Sequence, residues 1–182
     1  MDTKDKQDNV KKQIDEIQDN FYTENSKNKF FKKKQKIECA QQVVSKLDIN
    51  TLIEKTVYVI PNTYTIYFDY TIYKGYAHPD IYEYINNHFI QLLKYCVDNF
   101  KKADVQVNMD SFTISAFERY KPAIMNIIKN IDDATFNSLN KLIIFNAPSM
   151  IETIIQLIYK LLNSTTVSFL QQRLTIIPKS KN

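Results

Sequence analysis

The stretch "LNKLIIFNAPSMIETIIQLIYKLLN", residues 139–163, decides the fold. Leu142, Ile143, Ile144 and Phe145 form a continuous apolar run closed by Asn146-Ala147-Pro148. A short apolar run ending in turn residues predicts a central strand covered on both faces. An apolar helical pattern over residues 149–162 follows at once, with Ile151, Ile154, Ile155, Ile158, Leu161 and Leu162 on one stripe. The stripe is wider than one sheet face requires.

The flanks extend this strand–helix unit. Upstream, "ADVQVNMD" (103–110) alternates Val105, Val107 and Met109 with Gln106 and Asn108, a short strand. A helical pattern over 113–131 turns Phe117, Ile124, Ile128 and Ile131 inward, and Pro122 is expected to kink it or to mark a break near its first turns. Pro79 opens a long helix with Ile81, Ile85, His88, Phe89, Leu92 and Cys96 on one face. "TVYVI" (56–60) and "YTIYFDYTIY" (64–73) read as strands around a Pro61-Asn62 turn. Downstream come a short helical piece near 165–171 and a last strand, "RLTII".

Two amphipathic helices precede all of this, one on Val10, Ile14, Ile17 and Phe21, the other on Ile37, Ala40, Val43, Val44 and Leu47. "KNKFFKKKQK" (27–36) lies between them as a basic linker. Strands separated by helices predict an α/β fold, a mixed and mostly parallel sheet flanked by helices, with a short N-terminal helical extension. The expected organisation is an extension over 1–36, one domain over 37–178 and a tail over 179–182.

Chemistry is sparse. A single glycine in 182 residues leaves no room for a GxGxxG fingerprint or a phosphate-binding P-loop. Gly75 is expected at a turn. The low glycine and abundant Lys, Asn, Ile and Tyr are what an AT-rich coding genome, of a protist or a large DNA virus, would give. Cys39 and Cys96 lie in helical patterns and read as buried reduced thiols, which suits an intracellular protein. No apolar run reaches the roughly 18–20 residues of a membrane span, and the polar N-terminus does not read as a signal peptide. His78 reads as an exposed capping residue and His88 as a core or boundary histidine. Asp110-Ser111 reads as a helix N-cap, and Asn146 with Pro148 as the turn into the apolar helix. With no paired-carboxylate, nucleophile or metal-ligand motif, neither catalysis nor a metal or cofactor is expected.

The order "VQVNMDSFTISAFERYKPAIMNIIKNI", "LNKLIIFNAPSMIETIIQLIYKLLN", "TVSFLQQRLTII" resembles the CRAL-TRIO family of lipid-binding domains. The likeness runs through Met109-Asp110-Ser111-Phe112, a helix, Ile144-Phe145-Asn146-Ala147-Pro148, an apolar helix and the close Leu161-Leu162-Asn163. It extends over about two-thirds of the chain. Ser111-Phe112 replaces the family's usual glycine, the segment that continues past the last strand is absent, and the N-terminal helical region is short, as in a divergent, compact branch. The resemblance implies that the helix after Asn-Ala-Pro is a mobile gate over an apolar pocket. Phe112, Phe117, Phe145, Ile151, Ile154, Ile155, Ile158 and Leu162 are then the candidate lining. Burial of the apolar helix on two sides, by the sheet and the N-terminal helices or by a second protomer, explains the same stripe without a pocket.

The leading expectation is a non-enzymatic module for a lipid or other small apolar ligand, peripheral at anionic membranes. Phe30, Phe31, Lys32, Lys33 and Lys34 would give the surface contact, and Arg119, Lys121 and Arg173 a weaker headgroup set. A second expectation is a protein-interaction scaffold or homodimer using the tyrosines of residues 58–95. Nucleic-acid binding through 27–36 is a third, disfavoured by a net charge of only +4.

Overall fold

Five strands form one sheet in the computed structural model, which describes residues 3–25 and 32–180. The strands are β1 (Val57–Val59), β2 (Thr65–Asp69), β3 (Ala103–Asn108), β4 (Leu139–Ala147) and β5 (Leu174–Pro178), adjacent in chain order. β1 pairs antiparallel with β2, and the remaining pairs are parallel. The helices are α1 (Thr3–Glu24), α2 (Lys32–Lys46), α3 (Ile49–Thr56), α4 (Tyr70–Tyr76), α5 (Tyr82–Phe100), α6 (Ile114–Asn130), α7 (Asp133–Asn137), α8 (Ile151–Tyr159) and α9 (Ser164–Arg173). The mixed, mostly parallel α/β sheet is the one the sequence predicts.

Short polar side chains set many of the helix starts. Asp48, Asp69, Thr113, Asp132 and Asn163 each accept a backbone N–H from the first turn they precede, as N-caps do. Two sequence expectations change here. The strand predicted over 64–73 stops at Asp69, which caps α4, so "YTIYKGY" is helical. Thr113 caps α6, not Asp110 or Ser111; Asp110 is ion-paired with Lys179 at 2.8 Å and Ser111 takes φ 62°. Pro122 sits within α6 rather than near its start, and the helix runs through it. α3 goes unforetold because its eight residues are too few for a clear period.

Parallel strands that step one place at a time in one direction, joined by right-handed crossovers, carry those crossovers on one face. Register puts Ile66, Val105, Leu142 and Leu174 in one row, and Phe68, Val107, Ile144 and Ile176 in the next. These rows meet the helices. The other face carries Tyr67, Gln106, Ile143 and Thr175 in register, with Tyr67 also 5.7 Å from Phe145. Ile143 and Phe145 are only half-buried, so β4 is interior to the sheet without being covered on both faces.

The main core is unusually aromatic. Tyr70, Tyr73, Tyr76, Tyr82 and Tyr120 are all buried, with Tyr73 and Tyr120 at 4.8 Å and Tyr70 edge-on to Phe112 at 4.7 Å. The Tyr76 hydroxyl lies 2.9 Å from Thr56 Oγ1. Four of the nine tyrosines of residues 58–95 thus go into the core; Tyr58, Tyr64 and Tyr67 are half-buried, and Tyr84 and Tyr95 are exposed, at 66% and 52%. Gly75 is in α4, not at a turn: a Cβ there would stand 2.6 Å from Ile14 Cγ2 of α1.

Candidate functional site

The Asn146-Ala147-Pro148 turn is built by polar bonds across the strand ends. Asn146 adopts φ 50°, a left-handed conformation that asparagine tolerates. Its amide donates to Asn108 Oδ1 at 3.0 Å, and Asn108 Nδ2 donates to Asp69 Oδ1 at 3.3 Å. This chain ties the carboxyl ends of β2, β3 and β4 together. Asp69 also accepts from the Thr71 N–H and hydroxyl at 2.8 and 2.7 Å, so it serves as a structural acceptor. The turn then releases the chain into α8, with the Ile151 N–H donating to the Pro148 carbonyl at 3.0 Å.

α8 is shorter than the predicted 149–162. Ile151, Ile154 and Ile155 are buried, Ile158 and Leu162 half-buried, and Leu161 exposed beyond the helix end. Ile151 and Ile155 pack with Ile144 and Ala147 in a small cluster separate from the main core. Ile154 belongs to the main core, with Leu157 and Ile158 against it. The helix thus lies astride two apolar clusters. Phe112 and Phe117 are buried in the main core. Phe145 is on the opposite face of the sheet beside Tyr67, so the candidate lining set divides between the two faces.

The basic candidates also divide. Phe30 and Phe31 lie outside the described residues. Lys32, Lys33 and Lys34 are exposed in the first turn of α2, which replaces the expected linker there, and Lys34 faces Glu38 at 3.7 Å. Arg173 is occupied: its Nε donates to the Leu139 carbonyl at 2.8 Å and its guanidinium lies 3.7 Å above the Phe169 ring. Lys121 is half-buried on α6. Arg119 lines a cleft of about 670 Å³ between α1–α2 and α4–α6, together with Lys32, Lys36 and Lys74. Lys36 was expected only as part of the basic segment 27–36, and Lys74 was not expected. Lys74 carries the one available signal, as the sole charged residue of the aromatic α4, and it is the one residue of that helix left exposed.

His78 is buried, against the expected exposed cap; His88 is half-buried with Nε2 3.2 Å from the Val57 carbonyl oxygen, a boundary position. Both cysteines are free and buried, and burial pushes both thiols above their usual range. Among the described residues, no three His, Cys, Asp or Glu side chains converge as metal ligands would, and no helix is long and apolar enough to cross a membrane.

The CRAL/TRIO domain family model matches residues 30–172. The chain belongs to the CRAL/TRIO domain family. No curated protein and no solved structure matches it. The mixed, mostly parallel sheet with its flanking helices is consistent with that family. Membership implies binding of a lipid or another small hydrophobic ligand.

Proposed function

We propose that this CRAL/TRIO domain is a non-enzymatic carrier or sensor of one small hydrophobic ligand, and that it docks reversibly on anionic membranes. The position of α8 astride two apolar clusters carries the reading. Three buried isoleucines anchor the helix, and exposing them to water costs about 1.5–3 kcal/mol each. In water α8 therefore stays down. An acyl or isoprenoid chain that takes over its contacts, or a membrane surface that receives its apolar face, removes most of that cost. Opening is then coupled to the presence of cargo or bilayer. The exposure of the lysines at 32–34 supports electrostatic contact with acidic lipids.

Gentle purification, native mass spectrometry and organic extraction test this. A stoichiometric lipid is expected, reduced or lost in Ile155→Trp and in the less buried Ile158→Trp. A folded protein that carries nothing and takes up no offered lipid overturns the reading. A scaffold role draws support from Tyr84, Tyr95 and Phe100, all exposed on α5. Light scattering would then show a dimer that Tyr95→Ala disrupts.

A further inference from the structure

The cleft between α1–α2 and α4–α6 gathers Lys32 and Lys36 from α2, Lys74 from α4 and Arg119 from α6. No aspartate or glutamate lines it, and none of the four cations is ion-paired among the described residues. Burial, then Arg119, then Lys32 hold the Lys36 ammonium below the usual lysine range. Lys74 donates to Ser111 Oγ at 2.7 Å, and the nearby Asp110 already has Lys179 at 2.8 Å. Like charges held on a concave wall raise the free energy of the empty protein, and an anion between them lowers it.

The rest of the wall bears on what kind of anion. Thr113 and Ser115, at the start of α6, bring hydroxyls, while Tyr70 and Tyr120 bring rings. Hydroxyls bond phosphoryl oxygens, and rings pack a carbon skeleton. A volume of about 670 Å³ lies in the small-molecule range. A single-stranded nucleic acid would instead want cations strung along a groove. A phosphomonoester carries about −1.5 to −2 near neutrality, so two of them match four cations.

We propose that this cleft binds a compact polyanion carrying two phosphoryl groups, either free in solution or as the headgroup of a lipid. The inference goes beyond the α8 reading and stands or falls apart from it, because it concerns a polar ligand and none of the residues of α8; Lys32 alone is shared with the proposed membrane contact.

Titration calorimetry of the full chain with inorganic pyrophosphate tests it. One saturable site is expected. Arg119→Gln and Lys36→Gln should each weaken binding about tenfold, the loss of one charge-assisted hydrogen bond. Lys129→Gln, exposed at the far end of α6 and outside the cleft, should leave it unchanged. Flotation with phosphatidylcholine vesicles, with and without diacylglycerol pyrophosphate, separates the sources. Vesicle binding that pyrophosphate competes away assigns a headgroup; pyrophosphate binding without flotation assigns a free ligand. No saturable binding in either arm overturns the proposal, as do Arg119 and Lys36 variants that bind like Lys129→Gln. Should Arg119→Gln fail to fold, the exposed Lys36 and Lys74 carry the same test.

Discussion

His78 is the least satisfied side chain among the described residues. It is 5% exposed, with no hydrogen-bond partner at either ring nitrogen and Asp80 Oδ2 3.4 Å from Nδ1. Burial depresses its pKa below the ordinary 6.5, and Asp80 offsets only part of that. The folded protein then binds this proton more weakly than the unfolded chain. Its stabilising contribution is therefore complete above the unfolded value and is lost as pH falls through the folded one. Thermal unfolding between about pH 7 and about pH 5 should show a decline in Tm that is shallower in His78→Gln. Equal slopes would remove His78 as the titrating group. The sequence could not reveal this site. A histidine before proline looks like an exposed turn, and burial comes from elements joined only by the fold.

At the scale of elements, the docking of α1 depends on a missing side chain. Gly75 lets Ile14 reach the backbone of α4, and the Gln18 amide donates to the Gly75 carbonyl at 2.9 Å. Gly75→Ala must push a stiff, β-branched side chain aside, so a loss of about 1–3 kcal/mol in denaturant unfolding is expected. Ile14→Ala combined with it should cost less than the two changes summed. A neutral Gly75→Ala would mean that α1 is free to shift. α8 teaches a different lesson. Its apolar stripe was legible, but its end was not, because Leu161 and Leu162 continue the pattern in sequence after the helix has stopped at Tyr159.

For the molecule as a whole, alternation of strand and helix was enough to predict a mostly parallel sheet, and the Asn-Ala-Pro turn was enough to suggest the family. Composition could not divide the tyrosines between core and surface, since a buried Tyr cluster and an exposed one share the same letters. The division of Phe145 from Phe112 and Phe117 followed from strand register. The cationic cleft was hidden for another reason: its four charges come from three helices, and only Lys32 and Lys36 are close in sequence.

The chain-order arrangement of the strands has a consequence for biosynthesis. A chain emerging from the ribosome can add each strand to one already laid down, with no need to leave a gap for a later insertion. The hazardous interval is the last one. Until β5 arrives, β4 offers a nine-residue free edge containing Leu142, Ile143, Ile144 and Phe145, a template for strands of other chains. A chain ended after Asn163 should therefore aggregate on expression where the full chain remains in the supernatant. Equal solubility by sedimentation would show that the unpaired edge is harmless. The final residues of the sheet act less as scaffold than as a closing seam.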